Sequence, residues 1–537
     1  MKRKRLTAIL LVLAMALSVS ACEWSYTPNQ TIPESTGGKN VEKAVAADRV
    51  FSLNSNSKYS FNPFIATNHS NQLICSLVYE NMVEVDNDFN VIYNVITDGS
   101  CSEDGKVWTF NIEPGHTFHD GSPVKGNDLR MSLEYAIRSD RYAGRFASVQ
   151  GVSYADDKLY VTLGIGNTQF TKLLNIPIVK AGSYEDKHPL GSGPYTYNED
   201  FTELHAYESY PDYEKLPVDT VYIKEYTSAE EIISAFEDSY VDVVINDPTS
   251  MNNLGYASTN ETRTYVTTNM HYVGFNELGE LGRYNNFRVA MQYALNREYL
   301  VENMLHNSGV AATVPMCPSC SLYPTELANT ITYDLEKCAT ILYNFGLKDN
   351  DEDGRLEWVN GTTDLSFNMI VCSDSSAKNG MCQRFAADLD SIGITVNVYA
   401  LTWDKYLEAL EKGEFEIAAN KTATFDMYYA EVKLRNDFDL TELLQVRDQK
   451  EPGTNINFSG STDRNYESLI NAYLAAPEGD RARRYQELAK YLLENAGIIA
   501  LGFEKQEIIV HRGVVKGVNA NYGNPLYGFR SWEIDLS

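Results

Sequence analysis

The order of hydrophobic and polar residues predicts strands and helices that alternate along most of the chain. Apolar residues at every second position indicate strands, and apolar residues at every third or fourth position indicate helices. Predicted strands cover residues 48–53, 107–112, 117–118, 158–163, 219–226, 241–245, 366–372, 394–400, 415–419 and 507–510. Predicted helices cover residues 68–82, 126–138, 228–238, 285–305, 334–345, 378–392, 403–411 and 480–496. This alternation predicts an α/β fold.

Two local arrangements follow from the same pattern. Residues 219–245 form a strand–helix–strand unit, which is typical of a parallel sheet. Residues 107–118 alternate around Pro114-Gly115 and predict a hairpin, on which His116 and His119 face opposite sides. The spacing of these two histidines therefore does not favour a metal site.

The N-terminus has the pattern of a secretory signal. Residues 2–5 are all basic, and residues 6–19 are nearly all apolar but too few for a comfortable membrane span of about 20 residues. Small residues and then Cys22 follow, which resembles the bacterial lipobox; the alternative is an ordinary cleavage site beside an unrelated cysteine. We expect a signal peptide at 1–21, lipidation of Cys22 and a flexible tether at 22–47.

Net charge and the absence of known catalytic motifs disfavour certain binding partners and enzyme classes. The 537 residues carry 73 acidic and 45 basic side chains, a net charge of −28, which disfavours nucleic acid and anionic membrane surfaces as partners. The sequence contains no G-x-S-x-G elbow, no Walker A loop and no complete G-x-G-x-x-G. We therefore expect a protein that is not an enzyme.

Cys317 and Cys320 form a closely spaced pair within a proline-rich stretch. The pair is compatible with a loop disulfide, two free thiols, a redox motif or half of a zinc site. The proline-rich context favours a loop, and no second Cys or His pair completes a zinc site.

Residues 349–354, DNDEDG, resemble the front half of a calcium loop. Asp349, Asp351 and Asp353 occupy alternate positions, a glycine follows for the sharp turn, and Glu357 stands at the ninth position. The twelfth position, where a bidentate glutamate is expected, is Asn360. The segment is a candidate structural calcium site, and the alternative is a solvated acidic turn.

Several motifs, taken in order, resemble one family. The set comprises Glu103-Asp104-Gly105-Lys106, Trp108-Thr109-Phe110, Pro114-Gly115, Phe118-His119-Asp120-Gly121, Pro189 to Tyr195, Phe275-Asn276 and Asn286-Phe287-Arg288. Together they resemble family 5 of the bacterial extracellular solute-binding proteins, the peptide- and nickel-capturing receptors of ABC importers. The likeness extends over about residues 48–530.

The resemblance implies a type II periplasmic-binding-protein fold with two lobes and a hinged cleft. By this analogy lobe I comprises 48–88, 189–269 and 501–537, a third subdomain is inserted at 89–188, and lobe II spans 270–500. The chain would cross between the lobes near 268–272 and 498–504.

The resemblance also implies a function. We expect a monomeric lipoprotein at the extracellular face of the cytoplasmic membrane, or in the periplasm if the host has an outer membrane. It would capture short peptides and deliver them to an ABC permease and its ATPases. A receptor for another solute, such as a nickel chelate, and a sensory lipoprotein are the alternatives. No cofactor is required apart from the candidate calcium.

The resemblance further suggests where the ligand binds. Asp426 is the expected anchor for a peptide amino group, with Tyr428 and Tyr429 beside it. Asp426 could instead cap a helix that starts at Met427. Further expected ligand-binding residues are Trp403, His271 and Asn276.

Overall fold

The computed structural model describes residues 49–248, 260–447 and 456–537. The predicted signal peptide, Cys22 and the predicted tether at 22–47 all lie outside the described residues. Within the described ranges, no helix is both long enough and apolar enough to cross a membrane.

Twenty-three strands and twelve α-helices make up the described chain. The strands are β1 Phe51–Ser55, β2 Val83–Val85, β3 Val91–Tyr93, β4 Ile96–Cys101, β5 Val107–Ile112, β6 Val149–Ala155, β7 Lys158–Leu163, β8 Tyr195–Tyr197, β9 Glu203–Ala206, β10 Thr220–Glu225, β11 Val243–Asn246, β12 Glu261–Phe275, β13 Gly309–Ala311, β14 Leu347–Lys348, β15 Glu357–Trp358, β16 Ser366–Cys372, β17 Thr395–Leu401, β18 Glu414–Ala418, β19 Lys421–Thr424, β20 Met427–Lys433, β21 Ile498–Val510, β22 Val515–Lys516 and β23 Glu533–Ile534. The helices are α1 His69–Val78, α2 Gly126–Arg138, α3 Ala229–Glu237, α4 Asn285–Ala294, α5 Arg297–Tyr299, α6 Thr325–Ala328, α7 Leu335–Phe345, α8 Ser376–Asp390, α9 Trp403–Lys412, α10 Thr441–Leu444, α11 Asn465–Leu474 and α12 Glu478–Asn495.

The largest sheet is mixed and has the order β17-β16-β20-β12-β21-β11-β1-β10-β9-β8, with β13 also paired to β21. We call β11, β1, β10, β9 and β8 sheet half I, and β20, β16 and β17 sheet half II. The predicted parallel unit is confirmed, because β10 and β11 both pair in parallel with β1, which lies between them. Together with the helices that cover the sheet, this topology agrees with the predicted α/β class.

The long strands β12 and β21 join the two sheet halves. The last residues of β21 pair with β11 of half I, and residues 269–275 of β12 pair with β20 of half II. The register between β12 and β21 shifts between Val266 and Met270. Such an irregularity bends paired strands, and here it coincides with the passage from one half to the other.

Sheet half II is buried on both faces. Along β16, Phe367, Met369 and Val371 enter one hydrophobic cluster, whereas Ile370 and Cys372 enter another on the opposite face. Successive side chains of a strand point to opposite faces, so apolar residues at consecutive positions indicate a strand covered on both sides.

A separate antiparallel sheet, with the order β4-β5-β7-β6, contains the segment predicted as a hairpin. The predicted hairpin is wrong, because β5 pairs with β4 and β7, and Thr117 bridges Pro123 instead. Alternation identified β5 as a strand but carried no information about its partner. His116 contacts Glu80, and His119 contacts the carbonyl oxygen of Gly193.

The helix predicted over 285–305 is also wrong in extent, since α4 ends at Ala294. The side chain of Asn296 accepts a hydrogen bond from the Tyr299 N–H and starts α5, and a π-helical turn follows at Leu300–Met304. Asparagine favours the first position before a helix, so it interrupts an otherwise continuous periodicity.

Candidate functional site

A cavity of about 600 Å³ lies beside the passage of β12 and β21 between the sheet halves. Its walls come from α1 and the segment before it, the segment after α2, the end of β20 and the C-terminal segment. Lining side chains include His69, Gln72, Arg141, Arg145, Tyr265, Asn269, Lys433, Gln506 and Tyr522. The volume is within the range of roughly 300–1,000 Å³ that is usual for small-molecule sites.

Two other cavities are similar in size but differ in position. One of about 630 Å³ is lined by residues such as Ser55, Phe61 and Glu225 of sheet half I and its neighbours. Another of about 520 Å³ includes Asn276 and Arg447 among its lining residues. Only a cavity that draws its walls from both sheet halves can change shape when the halves move, so the 600 Å³ cavity is the candidate binding site.

Two arginines stand on the same wall of this cavity. The Arg141 guanidinium donates to the carbonyl oxygens of Pro63 at 2.7 Å and Ala66 at 3.2 Å. Arg145 donates to the side-chain oxygen of Asn175 at 2.6 Å. Both guanidinium groups lie over a tyrosine ring, at 5.2 and 5.0 Å from its centroid. These contacts fix the direction of the cations without neutralising their charge.

The opposite wall carries a third cation. Lys433, the last residue of β20, places its ammonium 5.0 Å from the centroid of the Tyr522 ring. Among the described residues, no carboxylate forms an ion pair with Arg141, Arg145 or Lys433. Arg141, Arg145 and Lys433 thus share this cavity without a direct ion pair, beside the one carboxylate of its described lining, that of Asp140.

His69 lies near these cations at the first position of α1. The side chain of Asn68 accepts a hydrogen bond from the Asn71 N–H, which starts the helix at this point and directs His69 to the cavity. Burial by the surrounding protein lowers the pKa of His69; Asp247 opposes this shift, and the nearby charges of Arg141 and Lys433 add to it. These influences favour the neutral imidazole, the form that carries a nitrogen lone pair.

Amide side chains and tyrosines supply the remaining polar lining. Tyr265 donates from its hydroxyl to the side-chain oxygen of Gln506 at 3.3 Å, and Asn269 donates to Glu504 at 2.8 Å. Gln72 donates to the carbonyl oxygen of Ala66 at 3.0 Å. Each of these amides keeps further donor or acceptor capacity, which suits a ligand with peptide-like groups.

Asp426 lies away from this cavity and is buried. One carboxylate oxygen accepts the backbone N–H groups of Leu281 at 2.8 Å and Gly282 at 3.4 Å, and the other accepts the Asn368 N–H at 3.2 Å. Burial raises the pKa of Asp426, and the backbone hydrogen bonds oppose that shift. The alternative of a helix cap is wrong, because Met427 begins strand β20.

His271 and Tyr429 meet inside the protein. The Tyr429 hydroxyl lies 2.5 Å from one ring nitrogen of His271, and Glu504 lies 2.9 Å from the other. Glu431 approaches to 3.5 Å, and together the histidine and two glutamates form a cluster of the size of a metal site. Both imidazole nitrogens already have protein partners, so this group is self-contained and does not line the candidate binding site.

The last three expected residues are also placed outside the cavity. Tyr428 is buried against β12, where a side chain at Gly274 would overlap its ring. Asn276 donates to the carbonyl oxygens of Gly413 at 3.0 Å and Phe425 at 2.9 Å. Trp403, at the start of α9, is 56% exposed.

The described cysteines are free thiols. Cys317 and Cys320 are buried, and no disulfide joins any of the seven cysteines in the described ranges. The only His, Cys and carboxylate groups of metal-site size in the described residues are the His271 cluster and Asp349, Asp351, Asp353 and Glu357. Within the described ranges, no further His, Cys or carboxylate side chain completes a zinc site at the cysteine pair.

Comparison with known proteins gives the family. The sequence profile described as "Bacterial extracellular solute-binding proteins, family 5 Middle" matches residues 90–429, well over half of the chain. The chain belongs to family 5 of the bacterial extracellular solute-binding proteins. This membership agrees with the expectation of a binding protein that is not an enzyme.

Relatives of the family 5 protein bind different solutes. The oligopeptide-binding protein AppA of Bacillus subtilis is 23% identical over 451 residues, 78% of this chain and 80% of the relative. Its structure with a nonapeptide superposes with a TM-score of 0.61 at 18% identity, covering 90% of this chain and 98% of AppA. NikZ of Campylobacter jejuni, in complex with Ni(L-His), gives 0.64 at 18% identity, covering 90% and 99%. These likenesses confirm the predicted periplasmic-binding-protein fold.

Sequence reasoning did not identify the residues that line the cavity of this family 5 protein. His69, Arg141 and Lys433 are far apart in the chain and come together only through the sheet. One local signal was available, since Arg138 at the end of α2 is followed by Arg141 and Arg145 in a strongly acidic protein. Such a run indicates an anion-binding surface even when its position in the fold is unknown.

Proposed function

We propose that this family 5 protein is the receptor of an ABC importer, that it captures short peptides in the 600 Å³ cavity, and that it passes them unaltered to the permease. The observation that carries the proposal is that three cations without a direct ion pair and several amide side chains share a cavity between the two sheet halves. A peptide has a carboxylate at one end and amide groups along its length, and this lining complements both.

The cations provide the recognition of the carboxylate. Arg141 and Lys433 approach from different walls, so a carboxylate between them would contact both sides of the cavity. A hydrogen bond to a charged group contributes about 1.5–3 kcal/mol. Because this contact is made only when the walls are close, ligand would favour a closed arrangement of the sheet halves.

The amides and tyrosines provide affinity that does not depend on side-chain sequence. Gln72, Asn269 and Gln506 can pair with the peptide main chain, directly or through water. Main-chain recognition leaves the side chains of the ligand unspecified, which suits a nutrient receptor.

A nickel chelate is the second candidate solute, and His69 is the observation that favours it. Its lowered pKa favours the neutral imidazole, which is the form that binds metal. A chelate with carboxylates could place them at Arg141 and Lys433 while His69 coordinates the metal. The complex of NikZ with Ni(L-His) makes this a solute class worth testing.

Analysis of the ligand that copurifies separates the two candidates. The protein is purified without refolding and denatured, and the released material is measured by mass spectrometry and by elemental analysis for nickel. Short peptides without stoichiometric nickel would support the proposal. One equivalent of nickel per protein would show instead that the solute is a nickel chelate. Recovery of cleaved products would contradict the proposal that the solute is passed on unaltered.

The variant Arg141→Gln tests the carboxylate contact. We expect the affinity for the recovered peptide to fall roughly 10- to 100-fold by calorimetry, because one charge-assisted hydrogen bond is lost. The control is Arg138→Gln, because Arg138 is exposed and pairs with Glu134 at 3.3 Å. A peptide with an amidated C-terminus should bind the wild type and Arg141→Gln with similar affinity. If Arg141→Gln weakened the binding of the amidated peptide as much as that of the free acid, this role of Arg141 would be contradicted.

We also propose that the protein is anchored by a lipid on Cys22 at the outer face of the cytoplasmic membrane. The lipobox-like residues before Cys22 support this location, as does a family whose members are extracellular. Labelling with radioactive palmitate should mark the wild-type protein and not Cys22→Ser; equal labelling of both would exclude this anchor.

A further inference from the structure

The loop between β14 and β15 brings four carboxylates together. Asp349, Asp351, Asp353 and Glu357 each place one oxygen within 4.8 Å of the other three. The two flanking strands pair with each other, and Lys348 is opposite Glu357, so the pairing closes the loop at its base. The loop and the strand therefore present their acidic groups to one point.

The backbone of the loop is folded around its first aspartate. The carboxylate of Asp349 accepts the N–H of Asp353 at 3.1 Å and the N–H of Gly354 at 2.9 Å. Gly354 has a φ of +88°, a conformation that favours glycine and turns the chain sharply. The loop thus holds its alternate aspartates on one side without help from other segments.

Glu357 is the observation that points to a ligand. The residue is 1% exposed, unlike the three aspartates, which are exposed. One of its oxygens accepts the Asn350 N–H at 2.8 Å, and the other is buried without a hydrogen-bond partner. A buried carboxylate oxygen without a partner costs free energy, commonly about 1–3 kcal/mol or more for a charged group.

Among the described residues, no lysine or arginine forms an ion pair with these four carboxylates. Lys348, which directly precedes Asp349, places its ammonium 4.3 Å from the centroid of the Tyr343 ring, and Arg355 pairs with Asp390 at 2.5 Å. The four carboxylates therefore converge without an ion-paired cation, and one of them is buried with an unpartnered oxygen, which distinguishes this loop from an ordinary solvated turn.

We propose that Asp349, Asp351, Asp353 and Glu357 bind one Ca²⁺ ion. Oxygen ligands from a short flexible loop, with room for water, suit calcium better than magnesium, which requires near-ideal octahedral geometry. In the usual calcium loop a glutamate at the twelfth position supplies a carboxylate, but this chain has Asn360 there. Glu357, the first residue of β15, supplies the buried carboxylate instead. Because the glutamate at the twelfth position is missing, we expect the calcium affinity of an extracellular module, with a Kd on the order of 10⁻⁴ M.

Bound calcium would stabilise the region that follows β12. The loop is joined to the end of α8 through the Arg355–Asp390 pair, and the Leu356 N–H donates to the carbonyl oxygen of Gly393 at 2.9 Å. The ion would therefore fix β14, β15 and the end of α8 relative to each other. The site is independent of the solute cavity, so it does not depend on the proposed function.

The test is calcium titration of the purified protein without its signal peptide, by calorimetry and by terbium luminescence. Trp358, the residue after Glu357 in β15, serves as the energy donor for terbium emission. We expect one site with a Kd on the order of 10⁻⁴ M, at least tenfold weaker binding of magnesium, and a calcium-dependent rise in Tm of roughly 1–3 °C.

The decisive variant is Glu357→Gln, and its matched control is Glu352→Gln. Glu352 is an exposed residue of the same loop and is not part of the cluster, so the control changes the same charge without removing a ligand. We expect the calcium affinity to fall more than tenfold in Glu357→Gln and less than threefold in Glu352→Gln. If Glu357→Gln folds poorly, Asp351→Asn replaces it, because Asp351 is exposed. A wild-type Kd above about 10⁻² M, or equal losses in variant and control, would overturn the proposal.

Discussion

Asp426 and Glu357 are both buried carboxylates in the part of the chain that follows residue 270, but they differ in how their oxygens are used. Both oxygens of Asp426 accept backbone N–H groups from loops and strands around it. Glu357 has one oxygen with a backbone partner and one without any partner. The difference teaches that burial alone does not indicate a ligand-binding carboxylate. A buried carboxylate oxygen that has no hydrogen-bond partner within the protein is the better indication.

The largest expected effect is the loss of stability in Asp426→Ala. Removal of the carboxylate leaves the N–H groups of Leu281, Gly282 and Asn368 without their acceptor. We expect the free energy of unfolding to fall by about 3–5 kcal/mol, measured by urea denaturation. The control is Asp404→Asn, an exposed acidic residue of α9, which should change stability by less than about 0.5 kcal/mol.

The same variant tests whether Asp426 contacts a ligand. The folded fraction of Asp426→Ala should bind the recovered peptide with unchanged affinity, because Asp426 does not line the cavity. If Asp426→Ala kept its stability but lost most of its peptide affinity, Asp426 would be a ligand-binding carboxylate and the expected anchor of the peptide amino group.

Glu84 provides an intermediate case and a smaller effect that depends on pH. One of its oxygens accepts from the amides of Asn81 at 3.1 Å and Asn524 at 3.2 Å, and the other is buried without a partner. Burial raises the pKa of Glu84 to about 7, and the two amides oppose this shift. Glu357 has three acidic neighbours, whereas Glu84 has two amides and one acidic neighbour, Glu80. We therefore expect the unpartnered oxygen of Glu84 to take up a proton rather than a metal ion.

The sign of the pH effect follows from the raised pKa. The folded protein holds the proton more tightly than the unfolded chain, whose glutamates titrate near the ordinary value of 4.5. The contribution of Glu84 is therefore fully present below about pH 4.5 and is lost as the pH rises through about 7. Glu84→Gln should flatten this dependence and be more stable than the wild type at pH 8, by up to about 3 kcal/mol.

Urea denaturation at several pH values between 4.5 and 8 measures this effect. Glu103→Gln is the control, because Glu103 is exposed and should leave the slope of stability against pH unchanged. An unchanged slope in Glu84→Gln would show that Glu84 is charged throughout this range and would remove it from the comparison.

The sequence was sufficient to predict 9 of the 23 described strands and 8 of the 12 described α-helices, because hydrophobic periodicity is a local property. β5, α2 and β7 begin and end at the residues that the pattern predicts. The partners of β5 were not predictable, because alternation records which face is buried and not which strand lies beside it.

The candidate calcium loop and the candidate solute cavity also differ in how far the sequence could predict them. The candidate calcium loop could be predicted from the sequence because its four carboxylates lie within nine consecutive positions. The burial of Glu357 could be recognised only from the fold. The cavity could not be predicted, because His69, Arg141 and Lys433 are brought together only by the long-range pairing of β12, β20 and β21. The family resemblance led instead to Asp426, whose type matches an anchor but whose hydrogen bonds are all made within the protein.

The smallest expected effect is that of Glu357→Gln in the absence of calcium. In a chelator the wild-type protein keeps a buried carboxylate with one unpartnered oxygen, and glutamine removes that charge while the backbone bond to Asn350 can persist. We expect a change within about 1 kcal/mol, neutral or stabilising, by urea denaturation. With millimolar calcium the order should reverse, because only the wild type gains stability from the ion. A loss in chelator as large as that of Asp426→Ala would mean that Glu357 is a structural acceptor like Asp426, and the distinction between the two carboxylates would fail.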